Sequence, residues 1–160
     1  MILCLPQAEK STISALFYGF NCTELETTVN PSTQTPTVCQ PSQDLTCSGQ
    51  RNSSFSEDEC LQNIAKDLTY HQSRLTAYMA SLDENQNSAS ITELKSITNS
   101  IQTLQNCSLL LNSAHQPESW TATDPFKDRK NLCKQLKGFH VRAITITRAL
   151  GYICAGEYKK

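Results

Sequence analysis

The feature that most constrains this chain is a 31-residue stretch near its end, Asp124 to Cys154, DPFKDRKNLCKQLKGFHVRAITITRALGYIC. It opens Asp-Pro. Aspartate can accept from free N–H groups at a helix start, and proline tolerates the first helical position. Leu132, Leu136, Phe139, Ala143, Ile146, Leu150 and Ile153 then recur at a 4-3-4-3-4-3 spacing, one buried stripe on a helix of about seven turns. Val141, Thr145, Arg148 and Tyr152 form a second stripe, displaced by two residues, or about 200° of rotation, and therefore facing away from the first. Outer faces normally carry charges and amides. An arginine among a ring, a valine and a threonine suits a protein partner better than bulk water.

The rest of the chain must supply the packing for that helix. At 160 residues it fits a single domain, 1–160, with room for a core. The net charge of −1 gives no electrostatic reason to bind nucleic acid or an acidic membrane surface. No apolar run approaches the length of about 20 residues needed to span a bilayer, so no membrane insertion is expected. Eight cysteines without any C-x-x-C pair, and three scattered histidines (His71, His115, His140), argue against a metal site and for disulfides in an oxidising compartment. The acceptor triplets Asn21-Cys-Thr, Asn52-Ser-Ser and Asn106-Cys-Ser agree with a secreted, glycosylated chain. MILCLP is too short for the apolar region of a signal peptide and lacks a basic segment before it, so the expectation is a processed or truncated start.

Four helices are expected. Residues 6–20 form a short first one. Residues 56–82 form the second, with a capping box at Ser56-Glu57-Asp58-Glu59 and a stripe of Leu61, Ile64, Leu68, His71, Leu75, Tyr78 and Leu82. His71 on that stripe reads as a hydrogen-bonded histidine at the core edge rather than a ligand. Residues 90–112 form the third, starting from a second capping box, Ser90 to Glu93, with Leu94, Ile97, Ile101, Leu104, Ser108 and Leu111 inward. Residues 125–153 form the last. The connection over 21–55 is long and Ser/Thr/Pro-rich and carries Cys22, Cys39 and Cys47, whereas 83–89 is a short polar turn. A long first connection points to an up-up-down-down, disulfide-stapled four-helix bundle. Spacing alone also accommodates an up-down-up-down order.

The segment NLCKQLKGFHVRAITITRALGYI, with its F-x-V-R-A-I-T-I core and the pair Arg148 and Tyr152, resembles the last helix of the interleukin-12 alpha subunit family, helical cytokines of the interleukin-6 type. Glu59-Cys-Leu with KDLTYHQ (66–72) resembles the start of that family's second helix, and LFYGFNC (16–22) the end of its first. The resemblance implies a secreted cytokine alpha subunit that joins an interleukin-12 beta-type, receptor-like subunit and engages a cytokine receptor chain on T and NK cells. It implies the pairs Cys22–Cys133 and Cys39–Cys60, and an interchain bridge from Cys47. It places Arg148 in a pocket of the beta subunit, with Thr145, Val141, Tyr152 and the more inward Arg142 around it. Phe126, with Trp120 nearby, falls where related cytokines present an aromatic to a receptor; both residues can equally close the end of a core. Cys107 and Cys154 end parallel helices in an up-up-down-down bundle, which suggests a further disulfide between them, and Cys4 is left without an assigned partner.

No nucleophile elbow, H-E-x-x-H, P-loop or dinucleotide turn is present, so neither an enzyme nor a cofactor is expected. The alternative among cytokines is another interleukin-6-family alpha subunit; the rival from another class is a disulfide-rich secreted helical lipid-binding carrier. Known carriers of that kind use adjacent Cys-Cys and C-x-C pairs, and this chain has neither.

Overall fold

The computed structural model describes residues 16–40, 56–107, 120, 121 and 123–156. The expected first helix lies mostly outside this set; the described part begins with Leu16 in helical conformation and a turn over 17–20. The described elements are a 3-10 turn at Cys22–Glu24, a short helix α1 (Thr35–Val38), and three long helices, α2 (Glu57–Ala80), α3 (Glu84–Cys107) and α4 (Pro125–Cys154). Every described secondary-structure element is helical, as expected of an all-helical bundle.

Local chemistry sets two of the long helix starts. Ser56 accepts from Glu59 N–H at 3.2 Å, with acidic residues filling the first turn of α2. Asp124 accepts from Phe126 N–H at 2.9 Å, and Pro125 follows it. The start of α3 differs from expectation. The helix begins at Glu84, so most of the 83–89 turn is helical, and Ser90 is a buried interior residue rather than a cap. The Ser90-to-Glu93 pattern therefore lies inside the helix and not at its start.

The three stripes form one core. Ile64, Leu68, Leu75 and Tyr78 of α2, Leu94 and Ile101 of α3, and Leu132, Phe139 and Ile146 of α4 are buried together. Leu61, Ile97, Leu104, Leu136, Ala143, Leu150 and Ile153 flank them.

Side-chain pairs give the helix directions. Gln105 donates to Thr69 at 3.2 Å and Gln72 to Gln102 at 2.7 Å, so α3 runs antiparallel to α2. Arg142 meets Asp67, Phe139 meets His71 and Trp120 meets Tyr78, so α4 is also antiparallel to α2. Hence α3 and α4 are parallel, as in an up-up-down-down bundle, and an up-down-up-down order is excluded. Among the described residues both pack against α2, with no comparable contact between them. They occupy diagonal corners.

This arrangement corrects the Cys107–Cys154 expectation. Cys154 is an exposed free thiol. By the pairs above, the end of α3 lies level with Asp67 and Arg142, so Cys154 lies twelve residues, or about 18 Å, further along the bundle axis. Added to a diagonal separation, that far exceeds the roughly 7 Å reach of a disulfide between Cα atoms.

Two disulfides join the pairs that the resemblance implies: Cys22–Cys133 and Cys39–Cys60. The first fastens the segment after Phe20 to α4. The second fastens α1 to the start of α2.

Candidate functional site

The outer face of α4 develops from its register. With Leu132, Phe139 and Ile146 committed to the core, the residues about half a turn away meet solvent. Val141 is 50% exposed, Tyr152 40% and Ile144 43%; Arg148 is exposed between them and Thr145 half-exposed, its hydroxyl donating to the Val141 carbonyl at 3.4 Å. Among the described residues, the large exposed hydrophobics are these three with Tyr18 and Phe126, so three of the five share this one face. An apolar patch around an arginine is a recognisable interaction surface.

Arg142 does not belong to it. Its side chain is 7% exposed and turns toward α2, where Nε lies 3.3 Å from Asp67 Oδ2. Asp67 is wholly buried and accepts from two threonine hydroxyls of the preceding connection, Thr33 on Oδ1 and Thr35 on Oδ2. Asn30, also buried, accepts from Ser32 N–H and Oγ and donates to the Lys66 carbonyl. The segment 30–39 is thereby fastened to α2 by a buried polar cluster as well as by Cys39–Cys60. Sequence reasoning placed Arg142 at the interface because it lies on the flank between the two stripes, and the carboxylate that draws it inward is 75 residues away in sequence.

His71 sits beside this cluster, between the rings of Tyr70 and Phe139 at 5.1 and 5.4 Å. It is inside the core rather than at its edge, and Nε2 has no hydrogen-bond partner. Burial, aided by the Arg142 guanidinium, lowers its pKa to about 4.

A second exposed group lies at the other end of α4. Phe126 is 38% exposed and meets Phe20 edge-on at 5.7 Å; Lys130 lies 4.5 Å above its ring. Arg129 lies 3.9 Å over Tyr18, which is 62% exposed. Trp120 is different in kind. It packs edge-on against Tyr78 at 5.1 Å under Arg74, with Nε1 buried, and closes the end of the core.

A strap that sequence reasoning missed crosses α4. Lys137 Nζ donates to the Cys22, Thr23 and Leu25 carbonyls, and Thr28 N–H donates to the Lys134 carbonyl at 3.1 Å. Gly138 makes room for the crossing: a Cβ there would stand 1.7 Å from the Thr28 oxygen. The signal was present as K-G in the middle of a helix, since an interior glycine costs helix stability and calls for a packing reason.

Of the remaining expected residues, Asn21 and Asn106 are exposed. Cys4, Cys47 and Asn52 lie outside the described residues, and the side chain of Cys107 is not described. No described helix is long and apolar enough to cross a membrane.

The comparisons with known proteins agree with this architecture. The family model of the interleukin-12 alpha subunit matches residues 18–156, nearly the whole described span. The interleukin-12 subunit alpha of Sigmodon hispidus is 31% identical over 94 residues, which is 59% of this chain and 44% of that protein, so the match spans less than half the length of that curated relative. No solved structure matches significantly. With both its helical frame and its matched residues accounted for, the chain belongs to the interleukin-12 alpha subunit family.

Proposed function

We propose that this chain is the secreted alpha subunit of a heterodimeric immune cytokine. Its outer α4 face docks a receptor-like beta subunit, and the assembled pair engages a cytokine receptor on T and NK cells as a growth and differentiation signal. The observation that carries this reading is the exposed face of α4, where Arg148 is set among Val141, Ile144, Thr145 and Tyr152 on a helix whose opposite side is fully used by the core. An arginine in such a setting reaches a carboxylate in a desolvated pocket, and truncating one partner of such a pair costs about 2–5 kcal/mol of binding. A solvated surface arginine would contribute almost nothing. In the same reading Cys47 bridges to the beta subunit, Phe126 touches the receptor, and Asn52 and Asn106 are glycan acceptors along with Asn21. The lipid-carrier alternative needs an apolar cavity, whereas buried side chains described in all three long helices belong to one core cluster.

The test is co-expression of Arg148→Ala and Arg148→Asp with a beta subunit. The expected result is a large loss of secreted heterodimer, greater for aspartate, with the helical content of the alpha chain preserved. Undiminished heterodimer yield for both variants would remove Arg148 from the interface and this reading with it.

A further inference from the structure

Tyr18, with the half-buried Phe20 beside it, puts aromatic surface at the chain's exterior immediately before an N-glycosylation triplet. Tyr18 is the most exposed large hydrophobic among the described residues, and Gly19, at φ 87°, makes the left-handed turn that sets it there. Two residues later comes Asn21-Cys22-Thr23. Asn21 is exposed. Its Oδ1 accepts from Thr23 N–H at 3.1 Å and Thr23 Oγ1 at 2.8 Å, and its Nδ2 donates to Glu24 at 2.8 Å. The turn-forming role falls on Oδ1, so replacing one of the two hydrogens on Nδ2 leaves that role intact.

Chain order also leaves the triplet open. Its middle residue, Cys22, is bonded to a cysteine 111 residues later. At about 5–20 residues per second of synthesis, Cys22 waits roughly 6–22 s for that partner to exist. During that interval Asn21 is not held by the disulfide that later fixes it to α4. Asn106, by contrast, lies in the last described turn of α3, where its Oδ1 accepts from Gln102 at 3.4 Å.

We infer that Asn21 carries an N-linked glycan, and that its first sugars lie over the Tyr18–Phe20 surface and set access to the neighbouring Phe126. In forming it, Asn21 Nδ2 attacks the anomeric carbon of a lipid-pyrophosphate-linked oligosaccharide. The new N–C bond replaces the C–O bond to pyrophosphate, Nδ2 loses one proton, and the lipid pyrophosphate leaves. Arg129 already lies over the Tyr18 ring, and the apolar face of a sugar ring matches the aromatic surface that remains exposed. Phe20, adjacent to Asn21, meets Phe126 at 5.7 Å, so the glycan stands at the rim of the proposed receptor contact. This last step rests on the secreted-cytokine reading; occupancy and shielding do not require any receptor.

The experiment uses the full chain from a eukaryotic secretory pathway, recovered with or without a beta subunit. Peptide mass mapping reads occupancy, and tetranitromethane nitration reads the accessibility of Tyr18, with the buried Tyr70 and Tyr78 as internal references. We expect a glycan at Asn21, and nitration of Tyr18 severalfold slower than in the same protein trimmed by an endoglycosidase or made as Thr23→Ala. Unmodified Asn21 would overturn the site. Occupied Asn21 with unchanged Tyr18 nitration would overturn the shielding. Trimming changes no residue, so it separates shielding from any folding effect of Thr23→Ala. Loss of heterodimer formation with both readouts intact would instead strike the cytokine reading.

Discussion

Two arginines six residues apart on α4 have opposite roles, and only the three-dimensional partners tell them apart. Arg148 faces out. Arg142 is held by a buried carboxylate that also receives two threonine hydroxyls. Taking charges out of water is costly, and the pair persists because Asp67 is surrounded by donors. His71 beside them is the residue whose ionisation the fold opposes. Its pKa is lowered from 6.5 to about 4, so the unfolded chain binds a proton that the folded chain refuses between those values. This contribution is present above about pH 6.5 and is lost as pH falls toward 4. The shift corresponds to about 3 kcal/mol at most. Urea unfolding of wild type and His71→Gln across that range checks it: wild type should lose stability on acidification more steeply than the variant, and parallel curves would refute the assignment. Nothing at sequence level revealed the depth of this histidine. Its place on the stripe was legible, but its neighbour Arg142 comes from another helix.

At the scale of elements, the caps of α2 and α4 were readable because each uses a side chain within three residues of the backbone it serves. Ser90 shows the limit of the same reasoning. A Ser-x-x-Glu pattern fits a helix start, yet it carries no information when Glu, Gln and Ala just before it already favour helix. The strap over α4 left only the interior Gly138 as a sign of itself, because Lys137 is met there by main-chain carbonyls of a segment more than a hundred residues earlier. Gly138 is its most sensitive point. Replacing it with alanine favours the helix by about 1 kcal/mol, but the added Cβ collides with backbone at Thr28, and overpacking of this kind costs about 1–3 kcal/mol or more. Since backbone cannot rotate away like a side chain, the collision should win. Gly138→Ala should therefore lower the denaturation midpoint and speed hydrogen exchange at Thr28 N–H; a rise in midpoint would show that the strap yields at no cost.

Across the whole molecule, three of the long helices were legible from periodicity, while helix direction was suggested only by the long first connection, since a stripe has no sign. The pairs on either side of α2 supply it. The disulfides act at this scale too. In the chain-entropy account a crosslink stabilises more as its loop lengthens, by about 3 kcal/mol for a short loop and about 4–5 kcal/mol near a hundred residues. Separations of 21 and 111 residues put Cys39–Cys60 and Cys22–Cys133 near those two values. The double variants Cys39→Ala/Cys60→Ala and Cys22→Ala/Cys133→Ala, compared by denaturant unfolding, should rank in that order. A larger loss from the shorter loop would mean that the anchorage of α1 matters more than chain entropy.

The sharing of α2 between two diagonal neighbours also has a consequence for time. Its contacts with α3 are joined by a three-residue turn and close almost locally, whereas those with α4 wait for a segment made last and connect residues as distant as Asp67 and Arg142. Local pairs form early, because little loop entropy opposes them. The α2–α3 hairpin can thus collapse as soon as it is synthesised, with one flank of α2 still bare. That flank holds Asp67 and His71, polar groups that tolerate water better than a leucine row would. The arginine that pairs with Asp67 arrives only with α4, and the side that must wait for it is built to wait wet.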